Sequence, residues 1–113
     1  MKIIFYTQGN KNPIRKFLNS LEIKDKVKVA GCIKSISELG FDTPRVQFRL
    51  IRNNLWEIKI KTSSGEIRIF YVSVKENTII LLHCYKKKSK KAPSKEIKIA
   101  LTRLNETMET KNG

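Results

Sequence analysis

The stretch from Leu55 to Lys91 constrains the fold of this chain more than any other, because it contains three predicted β-strands in succession. In the first strand, apolar residues alternate with Glu57, Lys59 and Lys61, which is typical of a strand with one buried and one open face. The third strand is almost continuously apolar, which predicts a central place in a sheet. The stretch therefore predicts a sheet whose last strand ends in a run of lysines.

The first turn in this stretch, Ser-Ser-Gly at 63–65, sets the register of the first two strands. A two-residue loop places Lys59 opposite Arg68 and Lys61 opposite Glu66, whereas a three-residue loop would need a bulge at the glycine. Like charges directly opposite each other destabilise a hairpin. The register therefore indicates either an anion bound over this face or an ordinary solvated face that guards against aggregation.

The remaining elements follow from caps, breakers and helical spacing. We expect a strand over Lys2–Tyr6, a helix that begins at Asn12 and Pro13, a helix over Lys24–Leu39 and a strand over Gln47–Ile51. A last helix begins at Pro93 and Ser94. The predicted apolar stripe of the second helix is Val27, Ala30, Ile33, Ile36 and Leu39.

This order, β-α-α-β-β-β-β-α, predicts one α+β domain over residues 1–113. We expect an antiparallel sheet of about four to five strands, with two N-terminal helices and a C-terminal helix packed on one side of it. The tail from Thr107 onward is predicted to fray.

The charge of the chain limits its partners. Its 113 residues carry 24 Lys and Arg against 10 Asp and Glu, a net charge of +14, which predicts binding to a polyanion. A membrane surface fits poorly because the lysines interleave with strands, and there is no transmembrane span or signal peptide, so we expect a cytoplasmic protein. With two cysteines and one histidine, the sequence predicts neither a metal site nor a cofactor.

The predicted sheet carries a set of residues that suits RNA phosphates. They are Lys59, Lys61, Arg68, Tyr71, His83, Tyr85 and the segment 86–91, in which five of six residues are lysine. Such a set can bind a phosphodiester and stabilise the charge that develops on it. RNA supplies its own nucleophile, the 2′-hydroxyl, so cleavage needs only positioning, charge stabilisation and proton transfer.

Three pieces of sequence carry a family resemblance. They are Leu55-Trp56-Glu57-Ile58-Lys59, the spacing from Arg68 to Tyr71, and the series His83, Tyr85, Lys87, Lys88, Ser89, Lys91, Ala92 and Pro93. Together they resemble the RelE/ParE superfamily of bacterial toxins, specifically its phage-related HigB-like branch. The chain departs from that pattern at Lys59, where arginine is usual, and at Cys84, Tyr85 and Ala92, where glycine, phenylalanine and threonine are usual.

The resemblance implies a toxin of a type II toxin–antitoxin system that cleaves translated mRNA on the ribosome and arrests growth. On chemistry and resemblance together, the expected catalytic residues are Arg68, Lys59, Lys87, Lys88 and His83. The expected RNA-binding residues are Lys61, Tyr71, Tyr85, Lys86, Lys90 and Lys91. For each there is a plainer alternative: an ion pair of Arg68 with Glu57 or Glu66, core packing of His83 and the tyrosines, and a solvated lysine run.

The resemblance also implies partners. They are a helix-turn-helix, HigA-like antitoxin encoded downstream, the ribosome and mRNA, and operator DNA only through the antitoxin complex. Two other readings stay open: a non-catalytic basic module that binds RNA or the ribosome, and an inactive toxin homologue retained for antitoxin binding. Uniform loss of affinity over several lysines would favour the binding module, and collapse of activity on Arg68 alone would favour the enzyme.

Overall fold

The computed structural model describes residues 1–88, 90 and 93–112. Within these residues the chain forms five strands and three α-helices, together with a short 3₁₀ turn at Gly40–Asp42. In chain order they are β1 (Lys2–Phe5), α1 (Pro13–Ser20), α2 (Ile23–Leu39), β2 (Gln47–Arg52), β3 (Leu55–Thr62), β4 (Gly65–Val74), β5 (Thr78–Lys87) and α3 (Ser94–Asn112). The predicted element order and the α+β class are confirmed.

The five strands form one sheet in the order β1-β5-β4-β3-β2. Three hairpins connect β2 to β5, and their strands pair antiparallel. The expectation of a wholly antiparallel sheet was wrong for β1, which pairs parallel with β5. The reason is that α1 and α2 form a crossover to the far edge of the sheet, after which three successive reversals bring β5 into line with β1. The sheet is therefore mixed, and β5 lies inside it as predicted.

The β3–β4 hairpin has the register that a two-residue loop predicts. Thr62 pairs with Gly65, Lys59 with Arg68, and Lys61 with Glu66. Gly65 has a φ of 150°, and a Cβ atom there would lie 3.3 Å from Cε of a lysine on β5. A residue with a side chain would be strained at this position, so the glycine helps to bring β4 and β5 close together at the basic end of the sheet.

The helices cover both sides of the sheet, which corrects the expectation that all of them lie on one side. Helices α1 and α2 pack on a cluster that includes Ile58, Ile69 and Leu81. Helix α3 packs on the opposite face through Ala100 and Leu104. The physical reason is that β4 and β5 are apolar on both faces, so that neither face can be left in water without losing burial of large side chains.

The register of β4 and β5 shifts at one point. Phe70 pairs with His83 and Tyr71 pairs with Leu81, so Leu82 is an extra residue in β5, as in a β-bulge. Leu82 belongs to the α3-side cluster, and the next residue, His83, contacts α3 as well. Two consecutive residues of β5 therefore face α3.

The helix ends follow the predicted signals, whereas the stripe of α2 does not. The side chain of Asn12 caps α1 by accepting from the backbone N–H of Arg15 at 3.0 Å. In α2 the fully buried apolar residues are Val29 and Ile36, and Val27, a predicted stripe residue, is 66% exposed. Of the other stripe residues, Ile36 lies in the core and Ile33 packs against it, whereas Ala30 and Leu39 are exposed.

Helix α2 turns a different face inward because Asp25 is buried in its first turn, where it accepts a hydrogen bond from the hydroxyl of Ser64. That contact and Val29, one turn later, set the rotation of the helix. Helix α3 continues to Asn112, beyond the predicted start of fraying at Thr107, and fraying of its last turns stays a prediction.

Candidate functional site

The basic end of the sheet forms an open cavity of about 470 Å³ on the α3 side, beyond the part that α3 covers. Its lining residues are Lys59, Gly65, Glu66, Arg68, Lys87, Lys88 and Lys90. The strand pairings bring these together: Lys59 lies opposite Arg68, and Glu66 lies opposite Lys87. The structure thus brings four of the five predicted catalytic residues into one cavity, along with the predicted RNA-binding residue Lys90.

Arg68 lies at the floor of this cavity, with only 5% of its side chain exposed. Its Nη1 donates to Glu57 Oε1 at 2.7 Å, and its Nη2 donates to Glu66 Oε1 at 2.7 Å. Burial by itself would lower the pKa of Arg68, but the hydrogen bond to Glu66 and the charges of both carboxylates raise it above its ordinary value. The guanidinium is therefore permanently charged and held from two sides.

Glu57 is the inner partner of Arg68 and is itself buried. The same oxygen, Oε1, also accepts from Nη2 of Arg49 at 3.1 Å. Its second oxygen, Oε2, has no hydrogen-bond partner among the described residues. The face of β3 that alternation predicts to be open is therefore closed at this residue, whose carboxylate is held by Arg49 of β2 and Arg68 of β4.

Glu66 is the outer partner of Arg68 and lies at the cavity surface, with 28% of its side chain exposed. Its Oε2 lies 3.3 Å from Nζ of Lys59. The hydrogen bond from Arg68 lowers the pKa of Glu66 most, burial opposes this, and Lys59 lowers it further. Lys59 and Arg68, which would repel each other across the hairpin, are thus neutralised by an anion that belongs to the protein itself.

The predicted lysine run divides between the two faces of the sheet. Lys87, Lys88 and Lys90 line the cavity, whereas Lys86 projects to the opposite face, where its Nζ donates to Ser64 Oγ at 2.9 Å. Lys61 is exposed and lines a second cavity of about 610 Å³ beside α2, which Lys59 also borders. Lys91, another predicted RNA-binding residue, lies outside the described residues.

His83 does not line the basic cavity. Its Nε2 lies 2.8 Å from Glu96 Oε1, and its Nδ1 accepts from Arg103 Nη1 at 3.3 Å, both on α3. Burial lowers the pKa of His83, while the hydrogen bond to Glu96 opposes that change. Both ring nitrogens have partners, which favours the core role for this residue, and its catalytic role stays a prediction.

The two predicted RNA-binding tyrosines are core residues on opposite faces. Tyr71 stacks beside Trp56 on the α1–α2 side, and burial raises its pKa to about 12. Tyr85 stacks on Phe70 and His83 on the α3 side, and burial raises its pKa to about 12 as well. The hydroxyl of Tyr85 has no hydrogen-bond partner within the described part of the chain.

Several members of this site were missed as functional residues by the sequence reasoning. Arg49 contacts Glu57 from the preceding strand, β2, and Glu96 and Arg103 contact His83 from α3. Only Arg49 left a signal, because its place opposite Glu57 follows once β2 and β3 are paired in register. Elsewhere, over residues 1–88, 90 and 93–112, no three His, Cys, Asp or Glu side chains are grouped as metal ligands. No helix in those ranges is both long and apolar enough to cross a membrane.

A mixed five-stranded sheet with helices on both faces and a cluster of cations at one end defines a small basic α+β domain with a cavity lined by lysine and arginine. The family model described as "Phage derived protein Gp49-like (DUF891)" matches residues 16–105. The chain therefore belongs to the Gp49-like family, a RelE/ParE-like toxin family associated with toxin–antitoxin systems. None of the curated proteins matches the chain.

Proposed function

We propose that this protein is the toxin of a type II toxin–antitoxin system of the HigB-like branch and that it cleaves translated mRNA on the ribosome. The observation that carries the proposal is the convergence of Lys59, Arg68 and Lys87, from three adjacent strands, on one cavity open to solvent. Membership of a toxin family supports it independently. Preorganised cations aimed at developing phosphate charge are often the largest contribution to catalysis of this kind.

The proposed reaction is an internal transesterification. The 2′-oxygen attacks the adjacent phosphorus, the bond from phosphorus to the 5′-oxygen breaks, and the products are a 2′,3′-cyclic phosphate and a 5′-hydroxyl. Arg68 and Lys59 stabilise the negative charge on the non-bridging oxygens, and Lys87 or Lys88 gives a proton to the leaving 5′-oxygen. His83 remains the candidate base for the 2′-proton, but its lone pair at Nδ1 accepts from Arg103 and its ring does not line the cavity, so to act it must first release Arg103 and turn toward the RNA.

A growth and cleavage assay tests the proposal. Induction of the wild-type protein should arrest growth and create new mRNA ends inside translated frames, which primer extension detects. The variant Lys87→Ala/Lys88→Ala should do neither, because it removes two cavity cations without touching the buried network. Lys95→Ala/Lys98→Ala, two exposed lysines of α3, is the matched control for net charge and should behave as the wild type.

Arg68→Lys complements this pair of variants. It keeps the charge and loses the planar fork, so it should reduce cleavage while most of the protein stays folded. Absence of both arrest and new ends with soluble wild-type protein would contradict the proposal. Equal loss in the two double variants would assign the effect to net charge and not to the cavity.

A second candidate function is a non-catalytic module that binds RNA or the ribosome, and the burial of Arg68 favours it. A guanidinium 5% exposed and satisfied by two carboxylates is arranged as a structural ion pair. The net charge of +14 would then bind RNA through many lysines. Binding with a steep salt dependence and no cleavage, on or off ribosomes, would establish this function. If the protein is instead an inactive toxin homologue, it would show neither cleavage nor this binding and would bind only its antitoxin.

The proposed antitoxin is a helix-turn-helix protein whose frame follows this one, with operator DNA bound only through the complex. The net charge of +14 supports an acidic toxin-binding segment in that partner. Co-expression with the product of the downstream frame should relieve growth arrest and give a complex that co-purifies. Rescue without a complex would contradict direct neutralisation.

A further inference from the structure

Glu66 lies where the proposed function requires an RNA phosphate. Its two carboxylate oxygens are divided between the cations: Oε1 is 2.7 Å from Arg68 Nη2, and Oε2 is 3.3 Å from Lys59 Nζ. Nε of Arg68 also points at Oε1, at 3.3 Å. A phosphodiester likewise has two anionic oxygens, and they can be divided between a guanidinium and an ammonium group in the same way. The side chain therefore occupies the position of the ligand.

The two carboxylates that hold Arg68 differ in depth. Glu57 is 2% exposed and binds Nη1 from inside the protein, whereas Glu66 is 28% exposed and binds Nη2 and Nε from the solvent side. If Glu66 leaves, water can solvate its carboxylate, and Glu57 still holds the guanidinium in place. Glu57 cannot leave in this way, because a buried charge without a partner is strongly unfavourable.

Replacement of Glu66 by a phosphodiester conserves the charge balance at Arg68. One monoanion leaves and another enters, so the buried guanidinium keeps an inner and an outer partner throughout. The incoming phosphate brings neighbouring phosphates of the same strand, which Lys87, Lys88 and Lys90 can bind along the cavity. A single inorganic phosphate lacks those neighbours and gains much less.

We propose that Glu66 is an internal competitor for the phosphate site: its carboxylate occupies Arg68 and Lys59 in the free protein and leaves when an RNA phosphodiester binds. This proposal rests on the proposed function, and it explains how the site selects its substrate. Competition by Glu66 excludes small anions and admits a strand that contacts several cations at once. Glu66 is thus a specificity-determining residue, and Glu57 is a positioning residue for Arg68.

The test compares Glu66→Gln with Glu38→Gln, which removes the same charge from an exposed position on α2. One probe is a fluorescent ten-nucleotide 2′-O-methyl RNA, which cannot be cleaved, measured by anisotropy at fixed salt. The other is inorganic phosphate, followed by NMR through the Nε–H signal of Arg68. Glu66→Gln should bind the RNA about three- to tenfold more tightly, as expected for loss of one charge-assisted competitor. It should also acquire measurable phosphate binding, whereas Glu38→Gln should change both by less than about twofold.

Glu66→Asp is a second variant that keeps the net charge. Its shorter side chain withdraws the carboxylate from Arg68, so RNA binding should lie between those of the wild type and Glu66→Gln. Equal affinities of Glu66→Gln and Glu38→Gln would overturn the proposal. Weaker binding by folded Glu66→Gln would also overturn it, because Glu66 would then be a support for Arg68 and not its competitor.

The phosphate titration separates this inference from the proposed function. If the wild type cuts no mRNA while Glu66→Gln still gains phosphate affinity, the competition stands and the nuclease assignment fails. If the wild type cuts mRNA and Glu66→Gln binds both probes as Glu38→Gln does, the nuclease stands and the competition fails. A cooperative thermal transition that begins well above the assay temperature in each of the three variants confirms that all are folded in these assays.

Discussion

The two faces of the sheet are formed by the same five strands but differ in the chemistry of their side chains. On the α1–α2 side, two helices cover a cluster built from Ile, Val and Leu with a few aromatic residues. On the α3 side, one helix covers the centre, and beyond it lies the network of Glu57, Arg68 and Glu66. The site lies where helix coverage stops, because charges there can be held by the sheet and still reach solvent.

The largest effect should come from Arg68→Ala, which breaks the α3 side. It leaves Glu57 buried without its main partner, so we expect a loss of about 3–5 kcal/mol in the free energy of unfolding. Urea denaturation measures it, and Arg49→Ala is the control. The Arg49 side chain is 65% exposed, so its removal should have an effect below about 1 kcal/mol.

A variant that lacks both charges tests whether the lost stability comes from the unpaired charge of Glu57. The double variant Arg68→Met/Glu57→Leu should recover most of the lost stability, because removal of both charged partners leaves no unpaired buried charge. It should stay inactive in the cleavage assay. A double variant no more stable than Arg68→Ala would mean that the network packs the α3 side in a way that apolar residues cannot replace.

On the α1–α2 side, Ile36→Ala should destabilise by about 2–5 kcal/mol, since Ile36 is fully buried. RNA binding measured well below the melting temperature should be unchanged, because no cavity residue is touched. Ile36→Val, with a loss of about 0.5–1.5 kcal/mol, is the graded control. Altered RNA affinity in folded Ile36→Ala would show that the two faces are coupled and do not act independently.

Acidification should lower the stability of the protein first through the α3 side, because the only histidine of the chain lies there. Burial keeps the folded-state pKa of His83 below the ordinary 6.5, so the unfolded state binds the proton more readily. Stability is then fully present above about 6.5 and falls as the pH drops toward the lowered value. The urea midpoint should fall between pH 7.5 and 5.5, and less so in His83→Gln.

Protonation of Glu66 should cause a second loss of stability at a lower pH. Its folded-state pKa is below the ordinary 4.5, so its contribution is present above about 4.5 and is lost as the pH falls through the lowered value. Glu66→Gln should remove this second loss and keep the first. Identical profiles for His83→Gln and the wild type down to pH 5.5 would contradict the assignment of the upper transition.

The smallest effect should come from Tyr85→Phe. The buried hydroxyl of Tyr85 has no partner in the described ranges, so its removal should leave stability unchanged or raise it by up to about 1 kcal/mol. Thermal unfolding measures the change, and Tyr71→Phe on the opposite face is the control. A clear loss of stability in Tyr85→Phe would mean that the hydroxyl has a water or other partner.

Most of the fold could be predicted from local signals. Alternation in β3, the glycine at 65 and the proline at 13 specify elements whose bounds the structure reproduces closely. The parallel pairing of β1 and the coverage of both faces could not be read this way, since they depend on how the chain crosses the sheet. The face of α2 was missed because Asp25 is held by Ser64, a contact across 39 positions.

The candidate site was predictable as a set of residue types and as a hairpin register. Lys59, Arg68, Lys87 and Lys88 do line one cavity. The sequence did not show that Glu57 would be buried or that Lys86 would face away, because the first depends on contacts from β2 and β4 and the second on the register shift in β5. The anion suggested by Lys59 opposite Arg68 is present in the form of Glu66.

Because of the extra residue in β5, the set of side chains at this end of the sheet depends on the register of the strand as well as on its residue types. Because Leu82 is unpaired in the ladder, every residue after it has the opposite parity from the one that the first half of β5 would dictate. If Leu82 paired with Phe70 in a regular ladder, Tyr85 and Lys87 would face α2 and Lys86 would face the cavity side. A one-residue slip of the ladder in an apolar segment would thus dismantle the cation cluster while leaving every charged residue in the chain.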